Sequence, residues 1–133
     1  MEFACKVAGA KLVMVLGHTR CGAVKAACDF VHSGADVEQT TGLSNLPHVI
    51  EPLKEAVRRE QATQDDRTAR NEAFVDRVAA INVQNVMRAI RQGSPVLRDM
   101  IDRGEIGLVG GMYDVKTGQV QFLQAAETAA VPA

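Results

Sequence analysis

His18 and Cys21 stand three positions apart in the stretch Gly17-His18-Thr19-Arg20-Cys21-Gly22. An imidazole nitrogen beside a thiolate sulfur suits the borderline-soft zinc ion. A catalytic zinc takes three protein ligands and leaves a fourth position open, so this pair is incomplete by itself. Cys28 and His32, four apart on the helix expected to follow, could share a metal of their own. They cannot complete the first pair, because Cys28 lies seven residues past Cys21, about 10 Å along a helix. Cys5 and Cys28 are read as packing residues, and His48, after Pro47, as a capping or solvent residue. Two other chemistries compete for the same turn. Gly17 and Gly22 have the spacing of the outer glycines of a phosphate loop, but Ala23 stands where that loop needs lysine and Lys25 is displaced by two. Cys21 as a nucleophile is the stronger rival, since it opens a helix, where free backbone N–H groups favour a thiolate.

The elements that must hold these side chains can be read from apolar spacing. Leu12-Val13-Met14-Val15-Leu16 is an uninterrupted apolar run ended by Gly17, which predicts a strand buried on both faces of a parallel sheet. His18 and Cys21 then fall in a tight turn at its carboxyl end, where open α/β sheets place their ligands. A helix is expected from Ala23 to about His32, closed by Gly34, and an earlier short one carries Phe3, Val7 and Ala10 at helical spacing. Leu43, Leu46, Ile50, Leu53 and Val57 predict an amphipathic helix capped by Thr41 or Ser44. Between Glu51 and Arg77 the charges alternate in sign, which reads as a solvated helix face and loop. Phe74, Val78, Ile81, Val86 and Ile90 mark a long helix stopped by Gly93; Ser94-Pro95 caps and starts another that Gly104 ends. Ile106 to Tyr113 and Gln119 to Leu123 read as strands of a hairpin turning at Asp114 to Gly118. Residues 1–124 are expected as a single domain, and 125–133 as a disordered tail.

Composition narrows the function classes. A chain of 133 residues with 47% hydrophobic and 23% charged residues can bury a core. Fifteen Lys plus Arg against sixteen Asp plus Glu leave a formal charge of −1, too little positive field for nucleic acid. Without Trp, and with one Tyr and four Phe, there are few platforms on which bases or sugars could stack, which favours a small substrate. Three cysteines are too few, and odd in number, for a disulfide framework, so a reducing compartment is expected. No segment reaches the roughly 20 apolar residues of a membrane span, and Met1 to Gly17 lacks a signal-peptide pattern, so with Met1 as the true start a cytoplasmic protein is expected.

The order of the residues adds a resemblance. Met1-Glu2-Phe3-Ala4 and the run from Gly9 through Gly17-His18-Thr19-Arg20-Cys21-Gly22 to Ala27 closely resemble the region around the second zinc motif of β-class carbonic anhydrases. That family's H-x-x-C-G falls on His18, Cys21 and Gly22. Asn82-Val83, then Gly107 to Asp114 with Thr117-Gly118 and Val120, resemble its long helix and its late strand and hairpin. The resemblance implies an α/β fold, a mostly parallel sheet flanked by helices with a C-terminal hairpin. It implies a zinc ion held by His18 and Cys21 and the reversible hydration of carbon dioxide to bicarbonate. It also implies a homodimer or higher oligomer. Gly22 is expected to allow close packing at the mouth of the site.

The family's first ligand and its Asp and Arg dyad belong to an upstream C-x-D-x-R motif that has no counterpart here, so no catalytic residue can be assigned. The chain is therefore expected to be incomplete at its N-terminus, with Met1 an internal methionine, and to lack a strand lying between those at Leu12 to Leu16 and Ile106 to Met112. Activity of the chain as it stands is expected to be impaired. Two alternatives to hydration stand beside it: a non-catalytic interaction module, and a zinc hydrolase of carbon disulfide or carbonyl sulfide.

Overall fold

The computed structural model describes residues 1–123, and the expected tail at 125–133 lies outside them. The chain divides into two compact units, Met1–Gly17 together with the chain from Val83 onward, and His18–Asn82.

In the first unit, α1 (Glu2–Lys6), the later turns of α5 (Glu72–Gly93) and α6 (Pro95–Asp102) accompany a three-stranded mixed sheet of β1 (Leu12–His18), β2 (Gly107–Tyr113) and β3 (Val120–Phe122). The strand order is β1-β2-β3. Among the described residues no strand lies between the first two: Gly107 N–H donates to the Lys11 carbonyl at 2.8 Å, and β1 is bonded directly to β2. β2 and β3 pair antiparallel, Gly111 opposite Phe122 and Tyr113 opposite Val120. Their turn forms as its residues dictate. The Asp114 carboxylate accepts the Lys116 N–H at 2.7 Å, and Gly118 takes φ +76°, a conformation that disfavours any side chain.

β1 corrects the expectation of burial on both faces. Its residues alternate, with Leu12, Met14 and Leu16 exposed. Val13 and Val15 lie on the other side with Leu108, packed against a core of Cys5, Ile90, Leu97, Met100, Ile101 and Ile106. An all-apolar run thus proves compatible with one covered face, since alternation is imposed by the strand and not by the run. Gly110 explains how the helix sits so close to the sheet. A Cβ there would come within 2.7 Å of Met87 Sδ and 2.9 Å of Val83 Cγ1. At α1 the apolar spacing misleads as well: Phe3 and Val7 are exposed, and Cys5 is the buried residue. Ser94 caps α6 as read, its hydroxyl accepting from Leu97 N–H at 3.2 Å while donating to the Glu2 carboxylate.

The second unit is helical: α2 (Gly22–Ser33), α3 (Val37–Thr41), α4 (Pro47–Arg59) and the first turns of α5. α2 lies against α4, and Val24, Ala27, Cys28, Ile50, Val57 and Phe74 are buried. α2 ends at Gly34 with φ +69°, as Gly34's position after the last apolar residue suggested. The caps proposed at Thr41 and Ser44 are not used. Asp36 caps α3, an element the apolar stripe did not reveal, by accepting from Gln39 N–H at 2.8 Å, and Leu43 falls outside both helices.

The solvated reading of the charges between Glu51 and Arg77 fails at Glu60, which is 2% exposed. Its carboxylate accepts from Arg67 Nη1 at 2.8 Å, Arg77 Nε at 3.0 Å and Thr63 Oγ1 at 3.1 Å. Arg67 also donates to the carbonyls of Val57 at 2.8 Å and Glu60 at 2.7 Å, which the end of α4 would otherwise leave unpartnered. Its guanidinium lies over the Phe74 ring, 4.7 Å from the centroid. Among the described residues no helix is long and apolar enough to cross a membrane.

Candidate metal centre

His18 is the last residue of β1 and Cys21 the N-cap of α2, so the two sequence-predicted donors bracket one strand-to-helix turn. The turn is sharp because Arg20 adopts φ +57°, the one left-handed non-glycine among the described residues. An L-residue is disfavoured there by its Cβ, by about 1–2 kcal/mol. The surrounding contacts hold it in place. Arg20 N–H donates to Asp76 Oδ1 at 2.8 Å, and Arg20 Nη2 pairs with Glu72 Oε2 at 3.0 Å, both acceptors on the first turns of α5.

His18 Nδ1 lies 3.0 Å from the Thr19 carbonyl oxygen. A carbonyl can only accept, so in the neutral ring this contact assigns the proton to Nδ1 and leaves Nε2 its lone pair. That is the tautomer a metal-binding histidine needs. Cys21 makes no side-chain capping bond, so its thiol is not committed to α2. Its carbonyl already accepts from Lys25 N–H at 2.9 Å, which starts the helix.

The donor chemistry of the pair therefore fits zinc, but among the described residues no group of three or more His, Cys, Asp or Glu could hold a metal ion. Cys28 and His32 do not form a second site. Cys28 is fully buried, and burial, reinforced by the neighbouring Asp29 charge, pushes its thiol up to about 11, whereas His32 is exposed. Cys5 is buried in the core of the first unit. The close packing expected at Gly22 is absent, since a Cβ placed there would meet nothing within 4 Å among the described residues. His48 is exposed at the start of α4.

Sequence reasoning missed Asp76 and Glu72, which it placed on a solvated face. No local signal marks them, because they lie 56 and 52 positions from Arg20.

Comparison with known proteins places the same segment in context. The sequence model of a family described as carbonic anhydrase matches residues 1–120. Among solved structures, a β-carbonic anhydrase, CafA, of the fungal pathogen Aspergillus fumigatus is 26% identical, with a TM-score of 0.68 over 93% of this chain and 53% of its own. A structure from a study of two tetrameric β-carbonic anhydrases of the filamentous ascomycete Sordaria macrospora gives 21% identity and a TM-score of 0.70, over 92% of this chain and 56% of its own. The β-carbonic anhydrase CcaA gives 24% and 0.71, over 95% and 57%. The chain thus spans a little over half the length of these solved structures. Among curated proteins there is no match.

Proposed function

Because this chain belongs to the carbonic anhydrase family and shares the fold of its β-class members, we propose that it serves the zinc-dependent reversible hydration of carbon dioxide to bicarbonate, with His18 and Cys21 as zinc ligands. The observation that carries the reading is the hydrogen bond from His18 Nδ1 to the Thr19 carbonyl, which leaves Nε2 free on the same turn as the uncommitted Cys21 thiol. Zinc, when bound, supplies the Lewis acidity that makes water a nucleophile toward carbon dioxide near neutral pH. The chain's own residues hold and orient. Thr19 keeps the proton on Nδ1, and Cys21 offers a thiolate whose charge offsets part of the metal's. A complete centre needs a third donor, which the described residues do not supply. A homodimer or higher oligomer in a reducing, cytoplasmic setting is the assembly that fits three unpaired cysteines and the tetrameric Sordaria relatives.

The missing third donor also favours a second reading, a non-catalytic member of the family that acts as an interaction module. Zinc content and stopped-flow carbon dioxide hydration of the purified chain separate the two. The expected result is substoichiometric zinc and hydration barely above background, both lost in His18→Ala and in Cys21→Ser. Zinc retained in both variants would overturn the ligand assignment, and hydration no faster than that of His18→Ala would favour the module. Faster turnover of carbonyl sulfide or carbon disulfide than of carbon dioxide would move the substrate to those molecules.

A further inference from the structure

We propose that Asp76 is the positioning residue of the metal-binding turn, acting on His18 through the peptide group between Thr19 and Arg20. This inference rests on the reading of His18 and Cys21 as zinc ligands. The peptide group is planar and rigid, so its N–H and its C=O move together. Its N–H, on Arg20, donates to Asp76 Oδ1 at 2.8 Å. Its C=O, on Thr19, accepts from His18 Nδ1 at 3.0 Å. The carboxylate, the peptide and the imidazole are therefore connected in series, Asp76 to Arg20 N–H and Thr19 C=O to His18.

Two consequences follow from that series. Asp76 fixes the plane of the peptide, and with it the direction from which the Thr19 carbonyl meets the ring. A carboxylate on the N–H also polarises the carbonyl at the other end, because hydrogen bonds in a chain strengthen one another. The result is a firmer hold on the Nδ1 proton and a fixed ring orientation, the effect a carboxylate achieves when it touches a metal-binding histidine directly. The left-handed Arg20 is the cost of this arrangement, since φ +57° at a residue with a Cβ persists only where contacts over-determine it. Glu72 adds the second contact by pairing with the Arg20 guanidinium at 3.0 Å, one turn before Asp76 on the same face of α5.

The first readout is the ring itself in the metal-free chain, and the second is cobalt affinity. Nitrogen chemical shifts of labelled His18 in the full chain, at a pH where the imidazole is neutral, are expected to report the Nδ1–H tautomer. Asp76→Ala should convert it to a mixture of tautomers. Asp76→Asn, which keeps an acceptor oxygen but no charge, should restore the tautomer. Cobalt(II) titration, followed by thiolate-to-cobalt absorption, should show roughly tenfold weaker binding in Asp76→Ala and a smaller loss in Asp76→Asn. Should Asp76→Ala fail to fold by circular dichroism, Asp76→Asn alone decides: retained tautomer with weakened cobalt binding supports the relay, and unchanged cobalt affinity overturns it. A folded Asp76→Ala with an unaltered His18 tautomer overturns the inference while leaving the ligand reading intact. A wild-type chain that shows the Asp76-dependent tautomer but binds no cobalt sinks the ligand reading and leaves the positioning role standing.

Discussion

Cys5, Cys21 and Cys28 carry the same thiol in three different surroundings, and the surroundings decide which can react. Cys21 is half-buried at the start of α2 with no side-chain capping bond, whereas Cys5 and Cys28 are buried in the cores of their units. Burial, with the Asp29 charge beside it, raises the Cys28 thiol from an ordinary 9.0 to about 11, so at mildly alkaline pH almost none of it is the reactive thiolate. Iodoacetamide labelling of the native chain at such a pH, read by mass spectrometry of peptides, should therefore modify Cys21 first and reach Cys5 and Cys28 only after denaturant is added. The same logic predicts that Cys28→Ser and Cys5→Ala leave cobalt binding nearly unchanged, although each loses some stability by placing a polar group or a small cavity in a core. Equal labelling of all three thiols in the native chain would contradict the burial on which the ligand assignment depends.

At the scale of elements, the Glu60 cluster joins the end of α4 to the beginning of α5. Burial alone would raise the Glu60 pKa, but the hydrogen bonds from Arg77, Thr63 and Arg67 outweigh it and hold the carboxyl below its usual 4.5. A carboxyl held low in the folded state stabilises the fold above its unfolded pKa, and that contribution is lost as the pH falls through the folded value. Glu60→Gln should cost about 2 kcal/mol at neutral pH, below the range for a fully buried pair because both guanidinium partners are partly exposed. The gap to wild type should narrow in acid, and urea melts at neutral and acid pH would show whether it does. None of this was legible in the sequence, where alternating charges read as a solvated face, because nothing local distinguishes a carboxylate that will meet two arginines from one that meets water. Punctuation was legible. Gly34, Ser94-Pro95 and Asp114 to Gly118 each terminate or start an element where their backbone preferences say they should. The candidate site divides the same way. His18 and Cys21 announce themselves by type and spacing within one turn, while Asp76 is joined to that turn only by the fold.

For the molecule as a whole, the sheet of the first unit has one side in the core and one side exposed. One side carries Val13, Val15 and Leu108 into the core. The other presents Leu12 at 57%, Leu16 at 49% and Phe122 at 63% exposure, with Met14 and Val120 among them. β1 and β3 are the outer strands of the three, so β1 has one neighbour and a free edge among the described residues. Contiguous apolar surface beside an unpaired strand is a template for association, and natural monomers seldom leave one uncovered. Leu16 and Phe122 each retain roughly half of their apolar surface to bury, worth about 1 kcal/mol apiece. Several such side chains across two copies favour association, against the free-energy cost of holding two bodies together. The chain alone is therefore expected to elute from size-exclusion columns as a concentration-dependent oligomer and to bind a dye specific for apolar surface. Leu16→Lys combined with Phe122→Thr should shift it toward monomer and lower dye binding. The melting temperature should change little, because neither side chain belongs to the core. A wild-type chain that is monodisperse, monomeric and dye-silent across the accessible concentration range would mean that this face is covered by a rearrangement of the chain itself.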